Sequence, residues 1–90
     1  MSFGEGTMET ITRTPLQLGS YIRQRRRELG LTQEALAAKI GLRQKTVSDI
    51  ETSAAAARLD TILRTLAALE LELLVRPRTR SSSKDIERIF

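Results

Sequence analysis

The chain has 90 residues, 29% of them charged, a formal net charge of +4, and neither cysteine nor histidine. One domain is the ceiling for that length, and a domain so small buries only about 60–65% of its unfolded surface, so association with a second copy is a ready source of further stability. The absence of Cys and His removes disulfide and thiolate chemistry and the commonest general base and metal ligand; with no Gly-rich phosphate loop and no carboxylates at ligand spacing, the inventory supports neither an enzyme nor a cofactor, metal or small-molecule substrate.

No apolar run approaches the roughly 20 residues that cross a bilayer, and "MSFGEGTMET" has neither the basic region nor the apolar core of a signal peptide. A cytoplasmic protein without a membrane partner is the expectation. The positive charge suits a nucleic-acid partner, and it is concentrated. Seven Lys/Arg face four acids between Tyr21 and Glu51, and five face two between Arg76 and Phe90.

Residues 1–13 show no periodic pattern and read as a mostly disordered arm. Thr14, Pro15 and Gln17 predict a helix start: Thr14 as cap, Pro15 at the first helical position, Gln17 closing a capping box. Leu18, Ile22 and Leu29 fall near one face, and Gly30 supplies a left-handed stop. A second, shorter helix is capped by Thr32, carries Glu34 in its first turn, buries Leu36, Ala37 and Ile40, and stops at Gly41. A third runs from about Arg43 to Glu51 with Val47 and Ile50 inward. A fourth lies in "RLDTILRTLAALEL", with Leu59, Ile62, Leu63, Leu66 and Leu69 at i, i+3, i+4 spacing. Ala54–Ala57 either extends one of these helices or covers a small-residue turn.

The period then changes to two. In "LELLVRP", Leu71, Leu73 and Val75 point one way, and Glu72, Leu74 and Arg76 the other, which predicts one short strand over 71–76 ended by Pro77. A lone strand lacks a hydrogen-bonding partner; pairing with the same strand of a second subunit is the economical solution, and a continued or frayed fourth helix is the alternative. Residues 77–90 begin with Pro, Arg and three serines and read as a flexible tail. Ile86, Ile89 and Phe90 share a helical face at its end.

The third helix poses a problem. Arg43, Gln44 and Lys45 place cations where the helix dipole disfavours them, and no Ser, Thr, Asn or Asp stands at 43 as a cap. A negative charge outside the protein would resolve it.

"TQEALAAKIG" leading into "LRQKTVSDIE" resembles the Cro/repressor-type (XRE) helix-turn-helix family over residues 16–70. The matched positions are Gln33 after the Thr32 cap, Leu36 and Ala37 inward, Gly41 in the turn, Gln44 opening the next helix, Val47 and Ile50 inward, and Glu51 at its end. The resemblance implies a mostly helical, four-helix lambda-repressor-like domain over residues 14–70. Its recognition helix enters the major groove N-terminus first. Base reading would fall to Arg43, Gln44, Lys45, Ser48 and Asp49, since Gln can pair bidentately with adenine and Arg or Lys with guanine. Gln33 would contact phosphate and brace Gln44. Thr32, Thr46 and Arg23 would add backbone contacts, although on the first helix a solvated charged face serves Arg23, Arg25 and Arg27 equally well. Arg26 matches the family position whose Arg pairs with the closing Glu, which implies a structural Arg26–Glu51 ion pair. The pattern departs after Glu51, where Thr52-Ser53 and four alanines replace the common Asn-Gly.

Arg58 to Arg78 looks like the matching region of HipB-type antitoxins. That likeness implies a homodimeric autorepressor whose strands, with Leu71, Leu73 and Val75, pair across the dimer. It also implies double-stranded operator DNA read as an inverted repeat, and a HipA-type Ser/Thr kinase toxin as partner. Such a protein is cytoplasmic, bacterial, and nucleoid-associated when bound. The tail residues Ile86, Ile89 and Phe90 either dock into the toxin or only expose the chain to proteases. The competing reading is a free-standing, phage-like helix-turn-helix repressor with no toxin partner.

Overall fold

The computed structural model describes residues 9–78. Helix α1, Pro15–Glu28, starts as its sequence dictates: the Thr14 hydroxyl accepts from the Gln17 N–H at 3.1 Å, and Pro15 fills the first turn. The capping box is not closed as expected. Gln17 Oε1 instead accepts from the Arg13 N–H at 2.6 Å, one residue before the cap, and so ties down the entering chain. At the other end Gly30 takes φ +74°, and the Leu31 N–H turns back to the Arg26 carbonyl at 3.0 Å.

Helix α2, Gln33–Ile40, is capped by the Thr32 hydroxyl, which accepts from the Ala35 N–H at 3.0 Å, and ends at Gly41 with φ +71°. Helix α3, Gln44–Thr52, begins one residue later than the sequence pattern suggests. Arg43 is itself the cap residue, with extended backbone and no side-chain cap bond. Ser53, at φ −166°, interrupts the helical path. Ala54–Ala56 then form a separate 3₁₀ turn, capped by the Ser53 hydroxyl through the Ala55 N–H. Helix α4, Leu59–Ala68, follows with Asp60 in its first turn.

The four helices enclose one core: Ile22 from α1; Leu36, Ala37 and Ile40 from α2; Val47 and Ile50 from α3; Ala54; and Ile62, Leu66 and Leu69 from α4 and its end. The fourth helix differs from expectation here. Leu59 and Leu63 are 65% and 42% exposed. The buried stripe of α4 is narrower than its leucine spacing, because only one side of the helix meets the other three.

The strand expected over 71–76 is not present; no strand occurs among the described residues. Leu71 packs on the core, while Leu73, Leu74 and Val75 are 55%, 61% and 86% exposed. A strand needs a ladder, and the described chain provides no second extended segment to build one. Arg76 lies 3.7 Å from Glu9, joining the two ends of the described chain. Most of the N-terminal arm, and the tail residues Ile86, Ile89 and Phe90, lie outside the described residues.

Candidate nucleic-acid interface

Helices α2 and α3 pack together across the Gly41–Arg43 turn, and Ala37 on α2 is buried at 3% exposure. A second close approach sets α3 against α1. A Cβ added at Gly19 would stand 2.4 Å from the Ile50 carbonyl oxygen and 2.9 Å from that of Glu51. Only glycine permits this contact. A glycine inside a helix costs about 1 kcal/mol relative to alanine, and that local penalty is the one trace of the contact in the sequence.

Beside Gly19 runs a chain of polar contacts. Arg26 Nε donates to Glu51 Oε2 at 2.6 Å and Nη2 to Glu51 Oε1 at 3.2 Å, while Nη1 donates to the Leu31 carbonyl at 2.7 Å. Both residues are buried. Such a pair adds little to stability over an apolar substitute, but losing one partner strands a buried charge. The network extends outward. Gln33 Nε2 donates to Glu51 Oε1 at 3.1 Å, and Gln44 Nε2 donates to Gln33 Oε1 at 2.5 Å. The Gln33–Glu51 bond links α2 to α3 and has no counterpart in the sequence reading.

The other candidate residues divide by surroundings. Arg43, Gln44 and Lys45 are exposed at the start of α3, where the first backbone N–H groups have no intrahelical partner. Ser48 and Thr46 are half-buried on the same helix. Lys45 Nζ lies 3.4 Å from both carboxylate oxygens of Asp49, an exposed i, i+4 pair of the kind worth only a few tenths of a kcal/mol. It is weak enough for Lys45 to exchange for another anion. The Thr32 hydroxyl accepts as a cap and keeps its own O–H as a donor. Arg23 is exposed and, with Ser20, Gln24, Arg27, Glu28 and Glu51, borders an open groove of about 470 Å³ between α1 and the end of α3.

Two cations outside this face have structural roles. Arg25 Nε donates to the Leu69 carbonyl at 3.0 Å and lies 3.8 Å from Glu70; Arg64 Nη1 donates to the Ile40 carbonyl at 3.1 Å. Each neutralises the C-terminal end of a neighbouring helix, where carbonyls lack partners. Among the described residues no group of His, Cys, Asp or Glu is arranged to hold a metal ion, and no helix is long and apolar enough to cross a membrane.

Comparison with known proteins agrees with this geometry. A family model described as helix-turn-helix matches residues 22–75. Antitoxin HipB of Escherichia coli (strain K12) is 32% identical over 74 residues, covering 82% of this chain and 84% of that protein. Among solved structures, a HipB–O4 20mer complex superposes with a TM-score of 0.73 at 31% identity, over 79% of this chain and all of that one. A HipA–HipB–O2–O3 complex gives 0.71 at 32% identity, over 80% of this chain and all of that one. The chain belongs to the helix-turn-helix family and, within it, to the HipB-type antitoxins.

Proposed function

We infer that this protein is a sequence-specific DNA-binding antitoxin of the cytoplasm, one that represses its own operon as a homodimer and neutralises a HipA-type Ser/Thr kinase toxin. The observation that carries the reading is the start of α3. Arg43, Gln44 and Lys45 are exposed around uncapped backbone N–H groups, and Gln44 is held from behind by Gln33. A free protein gains nothing from cations at that helix end. Against a phosphate backbone and base edges, the same groups become contacts.

In this reading, residues 14–70 form the DNA-binding domain. Arg43, Gln44, Lys45, Ser48 and Asp49 meet bases, Asp49 releasing Lys45 as it does so. Gln33, Thr32, Thr46 and Arg23 meet the sugar-phosphate backbone, which positions the helix without reading sequence. Residues 71–76 pair as a strand with the same segment of a second copy. In support, Leu73, Leu74 and Val75 are exposed in the single chain, as are Leu59 and Leu63 on α4. Two recognition helices about 34 Å apart then read an inverted repeat. HipB stands in complex with HipA and with the O2–O3 sites in a structure that this chain resembles, which supports a toxin on the dimer's free surface.

The test is a gel-shift titration of the full chain against the DNA upstream of its own reading frame, at several salt concentrations, with co-purification of the neighbouring gene product. Affinity should fall steeply and linearly in log–log form with salt, and a kinase-like neighbour should co-purify. Affinity that survives a several-fold rise in salt contradicts a phosphate-driven site. Salt-dependent binding without a co-purifying partner leaves a free-standing repressor.

A further inference from the structure

We propose that Glu51 is a positioning residue for base recognition: through Gln33 it sets which way round the Gln44 amide faces, and so makes Gln44 a reader of adenine rather than guanine. This rests on the DNA-binding reading above and adds to it a specificity determinant that touches no DNA.

The argument follows the direction of each hydrogen bond. A carboxylate paired with a guanidinium has only acceptors to offer. Glu51 takes Arg26 on both oxygens, and Gln33 Nε2 on Oε1 at 3.1 Å. The Gln33 amide therefore cannot turn over, because its carbonyl would then oppose a carboxylate oxygen. With its Nε2 committed inward, Gln33 offers Oε1 outward. Gln44 must meet that oxygen with Nε2, and it does. The same exclusion now holds one residue further along: a reversed Gln44 would set carbonyl against carbonyl. Every donor in the series points toward Glu51, and the buried ion pair is its fixed end.

The consequence lies in what Gln44 has left. Its amide carries two N–H donors and one carbonyl. One N–H is held by Gln33, so one N–H and Oε1 remain for the groove. That donor–acceptor pair matches adenine N7 and N6–H₂. Guanine presents N7 and O6, two acceptors, and would need both N–H groups; Oε1 would instead face O6. An unrestrained glutamine could rotate to suit either base.

Two variants act on the relay at different points. In Glu51→Gln one acceptor becomes an NH₂. In place of Oε2 it opposes Arg26 Nε and leaves the relay as it is; in place of Oε1 it opposes Arg26 Nη2 and lets Gln33, and with it Gln44, reverse. The direction of the relay is then no longer fixed. In Gln33→Met the buried pair is untouched and Gln44 is left unrestrained. The experiment selects bound duplexes from a pool of inverted repeats randomised in both half-sites, using the full-length wild type, Gln44→Ala, Glu51→Gln and Gln33→Met. Far-UV circular dichroism confirms that each is folded.

The wild type should prefer adenine over guanine by about tenfold or more at the one position that Gln44→Ala relaxes. Gln33→Met should cut that ratio to within about threefold of unity, and Glu51→Gln should lower it as well, while preferences elsewhere in the half-site stay the same. A uniform loss of affinity with the ratio unchanged is what a merely structural role predicts, and it overturns the relay. If Glu51→Gln does not fold, Gln33→Met decides alone. If the Gln44 position selects a base other than adenine, the proposed orientation is wrong even though the protein reads DNA. If the wild type selects no sequence, the DNA reading itself fails, and the relay with it.

Discussion

Replacing Gly19 by alanine sets two effects of known size against each other. In the middle of α1, alanine favours the helix over glycine by about 1 kcal/mol. Against this, the added Cβ would lie 2.4 Å from the Ile50 carbonyl oxygen and 2.9 Å from that of Glu51. Both are backbone atoms, so no change of rotamer relieves the overlap. Raising the shorter contact from 2.4 to 3.0 Å requires α1 and the end of α3 to part by about 0.6 Å. A gap of that order forfeits roughly a quarter to a half of the dispersion well of each contact across it, and Ile22 and Ile50, at 0% and 3% exposure, lie on that seam. Overlap of this kind costs about 3 kcal/mol. The net loss is then about 2 kcal/mol, which for a domain of this size lowers Tm by about 8–16 °C. The assay is thermal melting by circular dichroism at fixed protein concentration, with Ser20→Ala as the neighbouring exposed control, expected to stay within about 0.5 kcal/mol of the parent. A Gly19→Ala protein that melts at or above the wild-type temperature would show that helix propensity wins and that the two helices do not approach as closely as drawn.

Gly41 offers the converse case. No atom lies within 4 Å of its would-be Cβ, but φ is +71°, so Gly41→Ala should cost about 1–2 kcal/mol through the backbone alone and lower the urea midpoint with an unchanged m-value. A changed m-value would mean that more than local strain is involved. Leu63→Glu and Leu73→Glu, both at exposed positions in the single chain, should leave the fold intact but give a monomer in sedimentation; a persistent dimer removes that face from the assembly. Asp60 should titrate below 3.8, because the Arg58 side chain hydrogen-bonds and stabilises its charged form. Its small contribution to stability is therefore present above that pH and lost as pH falls through the lower folded value. Asp60→Asn should remove that small share of the acid-side dependence, and an NMR titration placing Asp60 at or above its ordinary value refutes the contact.

What could be read from the sequence was mostly what is local. Thr14, Thr32 and Gly41 mark helix ends because a cap acts on backbone three or four residues away, and the buried positions of α2 and α3 follow from helical periodicity. The contacts that lock the helices together are of another kind. Arg25 reaches Leu69, and Arg64 reaches Ile40, 44 and 24 positions away along the chain. Nothing in the spacing of either arginine distinguishes it from the exposed cations around it. Gly19 was visible only as a penalty, since its benefit depends on where α3 passes. The Arg26–Glu51 geometry was expected from the family pattern, but the Gln33 amide that joins it to Gln44 was assigned to phosphate and recognition, not to Glu51. In the single chain the strand is absent for a reason of the same type: alternation describes which faces a segment could bury, whereas a ladder needs a second segment that a single chain does not supply. Leu59 and Leu63 fit a helical stripe wider than the surface that α4 has to cover.

The burial of Arg26 and Glu51 has a practical corollary for solution work. Dissolved ions screen exposed charges over about a Debye length but barely reach a pair enclosed by protein. The cohesion of the helices should thus be almost indifferent to ionic strength, while any grip on a polyanion through Arg43 and Lys45 weakens steeply. Dissociation in concentrated salt is then a clean release, in which the polypeptide comes away folded and ready to rebind on dilution.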